Sequence, residues 1–150
     1  MRMTWSAVTT SSIDTREVLS RVGTEEHGAV ALFLGIVRNR NEGRPVSGME
    51  YEGYADMARE QLSEIVGEAA ERAQTDQVAA VHRLGALGVG EVSVAIAVST
   101  PHRRQAFDAA RYVIEEIKKR LPVWKREYYL DRDARWLDGH VPVAHGGEVG

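Results

Sequence analysis

The segment between residues 91 and 130 changes its hydrophobic period twice, and this change constrains the fold more than any other feature. Residues 91–99 alternate Val and Ile with small or polar residues, which is the period of a strand. Residues 100–121 follow with apolar side chains at helical spacing, and residues 123–130 return to a strand-like pattern. The segment therefore predicts a strand, a long helix and a second strand in succession.

The ends of this helix are marked by residues with known positional preferences. Thr100 is predicted to cap the helix, with Pro101 at its first position. Pro122 is predicted to end it, because a proline disfavours helical geometry in the residue before it. The remaining elements predicted from hydrophobic patterns and turn residues are strands over 4–9, 28–37, 46–54 and 77–84, and helices over 15–22 and 56–74.

The order of these elements predicts an α+β fold, with two long helices packed on a mostly antiparallel sheet. The strands at 28–37 and 46–54 are expected to pair as a hairpin around the polar loop 38–45. At 150 residues and without internal repeats, the chain is predicted to form one domain over 1–150, with a flexible tail after about residue 137.

Composition excludes several classes of protein. The chain has no cysteine, which excludes disulfides, thiolate metal sites and a cysteine nucleophile. A net charge of -3 argues against nucleic-acid binding, and the spacing of the five histidines argues against a metal site. The longest apolar run, residues 28–37, is far below the ~20 residues of a membrane span. We therefore predict a cytoplasmic protein with no membrane segment and no cofactor of its own.

The segment from Pro101 to Glu127 is cationic in an otherwise acidic chain. It contains eight Lys/Arg against four Asp/Glu, a local charge of +4. The cations stand in three groups, at the start of the predicted helix, at its far end and just after Pro122. Such groups can converge on one anion, and a helix N-terminus adds partial positive charge. This pattern predicts a site for a phosphate-bearing substrate, with a lysine positioned for chemistry.

Three residues before and at the start of this segment are candidates for binding the anion. Arg38 follows a buried strand directly, so it is either an ordinary solvated loop arginine or a guanidinium presented on a rigid support. His102 and Arg103 oppose the helix dipole in the first turn, at a cost of about 0.3–1 kcal/mol per charge. A bound anion would reverse that cost, and we therefore favour a functional role for both residues.

The far end of the helix carries Lys118, Lys119 and Arg120, where cations are common without further function. Lys118 lies about 60° around the helix from Arg103, while the other two point further away. Geometry therefore favours Lys118 if one of the three is functional.

The last strand places Lys125 and Glu127 on one face and Arg126 on the other. A solvated edge strand explains these charges about as well as a site does. In the functional interpretation, Pro122 lets Lys125 fold back toward Lys118, and two neighbouring ammonium groups lower each other's pKa. A lysine so lowered can act as a nucleophile or a general base.

Taken together, these residues resemble the large, catalytic subunit of molybdopterin synthase. The resemblance covers roughly residues 28–136. It is carried by five segments in the order and spacing of that family: F-L-G-I-V-R-N-R-N (33–41), M-E-Y-E-G-Y-A-D-M-A (49–58), V-H-R-L-G-A-L-G-V-G-E (81–91), S-T-P-H-R-R-Q-A-F (99–107) and I-K-K-R-L-P-V-W-K-R-E (117–127).

The resemblance implies an α/β-hammerhead fold and a sulfurtransferase of molybdenum cofactor biosynthesis. In the family, a small ubiquitin-like carrier supplies sulfur from its C-terminal Gly-Gly thiocarboxylate and converts cyclic pyranopterin monophosphate to molybdopterin. The large subunits form a homodimer within a heterotetramer. By motif, Lys118 matches the principal catalytic lysine and Lys125 the second. The substrate pocket implied by the resemblance comprises Ile36, Val37, Arg38, His102, Arg103, Lys118, Lys125, Arg126 and Glu127.

Two other functions use the same cations. A non-catalytic domain that binds or senses a phosphorylated metabolite would need the pocket without the reactive lysine. A phosphoesterase that opens a cyclic phosphate is less favoured, because the sequence offers neither metal ligands nor paired carboxylates.

Overall fold

A computed structural model describes residues 4–130 and 134–137; the tail that was predicted to be flexible lies outside these residues. The described part alternates helices with mostly antiparallel strands, which confirms the predicted α+β class. In chain order the elements are β1 (Trp5–Thr9), α1 (Thr15–Ser20), β2 (Ala29–Ile36), β3 (Arg40–Asn41), β4 (Arg44–Gly53), α2 (Ala55–Ala73), β5 (Val78–Arg83), β6 (Gly85–Gly88), β7 (Val92–Thr100), α3 (Arg103–Arg120), β8 (Val123–Tyr129) and β9 (Ala134–Leu137).

The strands form two sheets rather than one. The first has the order β1-β5-β7-β2, with β1 parallel to β5 and the other pairs antiparallel. The second has the order β3-β4-β8-β9, and β6 also pairs with β4. Within the described residues no helix is long and apolar enough to cross a bilayer.

The predicted hairpin between residues 28–37 and 46–54 is wrong. β2 pairs with β7, where Phe33 stands opposite Ile96, and β4 pairs with β8 in the other sheet. The intervening loop folds on itself instead: β3 and β4 form a small hairpin whose turn residues, Glu42 and Gly43, have φ angles of 51° and 81°. Because β2 is apolar on both faces, it fits beside the almost fully buried β7 better than beside β4, which carries three charged residues.

The main core lies between the two long helices, one face of the first sheet and the inner face of the second sheet. Leu62 and Ile65 of α2 and Ile96 of β7 are fully buried there. Each such side chain contributes about 1.5–3 kcal/mol relative to exposure. The short α1 covers the opposite face of the first sheet through Val18, and Asp14 caps it by accepting the Arg16 N–H at 3.0 Å.

The start of α3 differs from the prediction. Thr100 is the last residue of β7, where it pairs with Ala29, and the helix begins at Arg103 with His102 as its N-cap. The buried Thr100 hydroxyl donates to the His102 carbonyl at 2.6 Å instead of capping the helix. The end of α3 is as predicted, since Leu121 has an extended conformation before Pro122.

The direction of α3 determines which residues can meet. The helix leaves the end of β7 and packs back over β7 and β2, so it runs antiparallel to β7 and in the same direction as β2. Its N-terminus is held near the start of β2, where the Gly28 N–H donates to the Pro101 carbonyl at 3.2 Å. Its C-terminus consequently lies toward the other end of β2, beside Ile36.

Candidate active site

The predicted site residues fall into two groups at opposite ends of α3. His102 and Arg103 form the histidine–arginine pair at the N-terminus of the helix, and Lys118 lies in its last turn. Fifteen residues of helix separate Arg103 from Lys118, a rise of about 22 Å. This exceeds the combined reach of an arginine and a lysine side chain. Within one chain, therefore, the histidine–arginine pair and Lys118 do not meet at one anion, contrary to the sequence-based prediction.

The second group, which we call the lysine group, consists of Arg38, Lys118 and Lys125. Arg38 follows β2 at the end toward which the C-terminus of α3 points. The backbone before it is fixed, because the buried Val37 donates its N–H to the Glu91 carbonyl at 3.0 Å and accepts the Gly90 N–H at 2.8 Å. Arg38 itself is exposed beyond this anchor, and so is Ile36. The strand thus presents the guanidinium from a rigid support.

Lys118 is half-buried on the side of α3 that faces away from α2. The opposite flank is fixed to α2, because the Tyr112 hydroxyl and Arg120 Nη1 each contact Oε1 of Glu68 at 2.7 Å. Arg120 lies about 160° around the helix from Lys118, so its role is to join the helices. The hydrogen bond from Arg120, and after it the one from Tyr112, lowers the pKa of the Glu68 carboxyl. Lys119 is exposed, with Glu116 as its contact at 3.4 Å.

Lys125 is only 3% exposed and lies on β8 between β4 and β9. The solvated edge strand, the alternative that the sequence left open, is therefore wrong. Lys125 stands opposite Tyr51 of β4, and directly opposed side chains share a face of the sheet. The Tyr51 ring in turn meets the His82 ring edge-on, with centroids 5.0 Å apart. An ammonium group buried in this way requires polar partners. A lysine with so little exposure is unusual outside functional sites.

Glu127 is buried on the same face as Lys125, two residues further along β8. Its Oε1 accepts hydrogen bonds from Asn41 Nδ2 and from the Tyr129 hydroxyl, both at 2.7 Å. Burial is the largest of the causes that raise the pKa of Tyr129, and the hydrogen bond to Glu127 is the second. Arg126 lies on the other face of β8, with its guanidinium 5.8 Å from the centre of the Tyr128 ring. β8 therefore brings Lys125 and Glu127 together and turns Arg126 away from them.

Three residues that join the surroundings of Lys125 and Glu127 were not predicted to belong to the site: Asn41, which bonds Glu127, Tyr51, which stands opposite Lys125, and His82, which packs on Tyr51. Burial lowers the pKa of His82 to about 4, so its imidazole is neutral at physiological pH. Its Nδ1 lies 3.0 Å from the Arg83 carbonyl oxygen, which can only accept, so Nδ1 carries the proton. A lone histidine in an apolar strand and a turn asparagine carry little signal in a sequence. Their roles depend on contacts that join distant segments.

The arrangement can bind an anion and can supply an amine. Arg38 and Lys118 are open to solvent at one end of the first sheet, while Lys125 lies in the interior. Across the described ranges 4–130 and 134–137, no cluster of three His, Asp or Glu side chains could hold a metal ion. The chemistry that these side chains can provide is anion binding together with nucleophilic or proton-transfer chemistry at lysine.

Comparison with known proteins gives a consistent result. The family model for the MoaE protein matches residues 8–120. The molybdopterin synthase catalytic subunit of Pyrococcus abyssi is 41% identical over 129 residues, which cover 85% of this chain and 86% of that protein. The protein of the same name from Bacillus subtilis is 38% identical over 87% of this chain and 82% of its own length.

Solved structures agree with the sequence relatives. The crystal structure of molybdopterin synthase from Staphylococcus aureus superposes with a TM-score of 0.82 at 36% identity and covers 87% of this chain and 95% of that one. The MoaE protein from Burkholderia ambifaria gives 0.76 at 30% identity, over 94% and 93% of the two chains. The sequence-based resemblance is thus confirmed, and the chain belongs to the MoaE family, that of the catalytic subunits of molybdopterin synthase.

Proposed function

We propose that this chain is the sulfur-transferring subunit of a molybdopterin synthase and acts in the cytoplasm. It would convert cyclic pyranopterin monophosphate to molybdopterin with sulfur from the C-terminal thiocarboxylate of a small ubiquitin-like carrier. The burial of Lys125 on an interior strand, at the end of the fold that also carries Arg38 and Lys118, is the observation that carries this proposal. The absence of cysteine agrees with it, because the sulfur then has to arrive on a partner.

Lys118 and Lys125 have different roles in the proposed reaction. The half-buried Lys118 is open enough to meet both the carrier terminus and the substrate. Its amine would either attack the carbonyl carbon of the thiocarboxylate, which forms an amide, breaks the C–S bond and releases sulfide to the substrate, or move a proton at the pterin side chain. Lys125 would act from the interior as the second catalytic lysine. The substrate would contact the lysine group and the neighbouring residues Ile36, Val37, Arg126 and Glu127.

His102 and Arg103 enter this site from a second copy of the chain. About 22 Å of helix separates them from Lys118, so one chain does not supply both groups to one phosphate. A twofold symmetric dimer in which the α3 helices run antiparallel would place Arg103 of one copy beside Lys118 of the other. Each dimer would then contain two composite sites and bind two carriers, which gives the heterotetramer.

The experiment combines the purified chain with thiocarboxylated carrier and cyclic pyranopterin monophosphate and measures molybdopterin as its fluorescent oxidised derivative. Lys118→Ala and Lys125→Ala should each lower the rate at least 100-fold, while Lys119→Ala, an exposed neighbour, should leave it within twofold. Near-wild-type turnover by Lys118→Ala would refute the assignment of the lysine. Substrate binding in calorimetry without any turnover, even with carrier present, would instead support a non-catalytic metabolite-binding protein.

Mass spectrometry separates the two roles open to Lys118. An amide between the lysine and the carrier terminus, trapped when the pterin substrate is left out, would show nucleophilic attack. Thiocarboxylate hydrolysis without such an adduct would assign proton transfer to the amine.

A further inference from the structure

The Glu127 carboxylate is held by two donors that converge on one of its oxygens. Its Oε1 accepts a hydrogen bond from Asn41 Nδ2 and another from the Tyr129 hydroxyl, both at 2.7 Å. Asn41 Nδ2 also donates to the Tyr129 hydroxyl oxygen, at 3.3 Å. Since an ionised carboxylate only accepts hydrogen bonds, the amide nitrogen of Asn41 has to face it. The three side chains therefore form a closed set of bonds that fixes the orientation of the carboxylate.

This carboxylate lies in the interior on the face of β8 that carries Lys125. Glu127 and Lys125 are 4% and 3% exposed. Residues two apart on a strand are separated by about 6.6 Å, a distance that a side chain of the length of lysine can span. A buried carboxylate is costly unless its oxygens accept hydrogen bonds. The amide of Asn41 is therefore part of what stabilises a negative charge beside Lys125.

The same bond ties the segment that carries Arg38 to β8. Arg38 lies between two fixed points of the chain. On one side, the backbone of Val37 is bonded to residues 90–91. On the other side, the Asn41 side chain is bonded to Glu127. Because only three residues lie between Val37 and Asn41, a displacement of Asn41 would move the backbone of Arg38 relative to the strand that carries Lys125.

The hairpin of β3 and β4 is also attached to the end of β8 by contacts that do not involve Asn41. The Leu130 N–H donates to the Pro45 carbonyl at 3.0 Å. The Arg44 guanidinium lies 3.8 Å from the centre of the Tyr129 ring, where a cation is attracted to the aromatic face. Since these contacts hold the hairpin in place, the bond from Asn41 is not needed for its attachment. The particular effect of Asn41 is on the carboxylate.

We infer that Asn41 is a positioning residue of this site, which orients the Glu127 carboxylate beside Lys125 and fixes where Arg38 lies relative to both. The inference rests on the proposed function, because it assigns Asn41 a part in the same reaction. Asn41 acts through Glu127 rather than on the substrate. A side chain that only filled space in the hairpin would tolerate a replacement of the same shape, whereas a side chain that supplies a donor would not.

Two substitutions of Asn41 separate these roles. Asn41→Asp keeps the shape of the side chain but sets an acceptor against the Glu127 oxygen, and Asn41→Ala removes the donor. We expect kcat for molybdopterin formation to fall about tenfold or more in Asn41→Ala, and further in Asn41→Asp, because two like charges then face each other. Asn39→Ala, an exposed neighbour in the same loop, is the matched control and should stay within about twofold of the wild type.

A double-mutant cycle tests whether Asn41 acts through Glu127. In a Glu127→Ala background the amide has no carboxylate to bind, so Asn41→Ala should change kcat by less than about twofold there, against about tenfold in the wild-type background. Single-turnover conditions with enzyme in excess keep the slow variants measurable, and urea unfolding shows that each variant is folded. If Glu127→Ala does not fold, the order of the two Asn41 variants decides the question alone.

The results separate this inference from the function on which it rests. If the wild type makes molybdopterin and Asn41→Asp is more active than Asn41→Ala, the positioning role is overturned and the function stands. Equal fold-changes from Asn41→Ala in the two backgrounds of the cycle would overturn it as well. A wild type that makes no molybdopterin from loaded carrier and cyclic pyranopterin monophosphate would refute the proposed function, and the positioning role with it.

Discussion

Lys125 and Tyr51 stand directly opposite each other on adjacent strands, and both side chains are buried. The pair joins β8, which follows α3, to β4 in the second sheet. A lysine at such a position is fixed in orientation before any substrate arrives, since its strand is held on both sides. This rigidity suits the catalytic role that we propose for Lys125, because small displacements of reacting groups cost large factors in rate.

The Lys125→Met variant keeps the aliphatic part of the side chain but should lose most of its molybdopterin-forming activity. We expect molybdopterin formation to fall at least 100-fold, because the variant lacks the nitrogen that we propose takes part in the reaction. The rate is measured with excess loaded carrier, and thermal unfolding shows whether the variant is folded. A folded Lys125→Met variant with more than a tenth of the wild-type rate would contradict the role.

Two inactive variants should complement each other if the site is shared. When Arg103→Ala and Lys118→Ala chains are mixed and allowed to exchange, one site of each mixed dimer contains both intact residues. Random pairing then restores about a quarter of wild-type activity.

The matched control mixes Lys118→Ala with Lys125→Ala. Both residues belong to the lysine group of the same chain, so every site in a mixed dimer lacks one lysine and no activity should return. Recovery in this control, or none with Arg103→Ala, would count against the composite site.

Gly53→Ala should destabilise the junction between α3 and β8. A Cβ at this position would lie 2.6 Å from the Pro122 carbonyl oxygen and 2.8 Å from Cγ1 of Val123. Relieving such contacts costs about 1–3 kcal/mol and displaces the strand that carries Lys125. Urea unfolding measures the loss, and Gly88→Ala is the control, because its Cβ would meet only the end of the Glu91 side chain at 3.7 Å. Equal stability of the two variants would contradict the prediction.

His82 should make stability depend on pH. Its pKa is about 4 in the folded protein and 6.5 when unperturbed, because burial penalises the charged imidazole. Between these values the unfolded chain binds a proton that the folded chain does not, so stability is present above pH 6.5 and declines as the pH falls toward 4. The contribution lost between about pH 7 and pH 5 is about 2 kcal/mol.

Urea unfolding of the wild type and of His82→Gln at both pH values isolates this contribution, because the other titrating groups are common to the two proteins. The difference in the free energy of unfolding between the wild type and His82→Gln should be smaller, or reversed in sign, at the lower pH. A difference independent of pH would show that His82 does not carry the effect.

Arg120→Ala should lower stability without a direct effect on catalysis. Arg120 binds both oxygens of Glu68, at 2.7 and 3.1 Å, and also contacts Glu116. Because the pair is partly exposed, we expect a loss of about 1–2 kcal/mol in the free energy of unfolding. Lys119→Ala should cost less than about 0.5 kcal/mol, as is usual for an exposed charge. Equal effects from the two substitutions would argue against Arg120 as the link between α2 and α3.

Local patterns predicted most of the helices and strands. The hydrophobic period and Pro122 were sufficient to place α3 and β8, because both signals act within one or two turns of the chain. The partners of the strands were not predictable in this way. β2 and β7 are neighbours in the sheet but are separated in sequence by β3, β4, α2, β5 and β6, and no pattern within either strand identifies the other as its partner.

The contacts that form the site were also not predictable from local patterns. Helical periodicity puts Arg103 and Lys118 on one side of α3, which is compatible with the structure, but the length of helix between them keeps the two side chains apart. The bond from Asn41 to Glu127 joins residues 86 positions apart, and nothing local in the sequence signals it. The pairing of β8 with β9, which makes β8 an interior strand, was likewise not predicted.

The length of α3 also has a genetic consequence. In the proposed shared site, each helix would contribute its first turn to one reaction centre and its last turn to the other. A chain with a single defect spoils one centre of a mixed pair, whereas a chain altered at both Arg103 and Lys118 would silence both. Co-expressed with the normal protein, such a double variant would behave as a dominant inhibitor of cofactor synthesis.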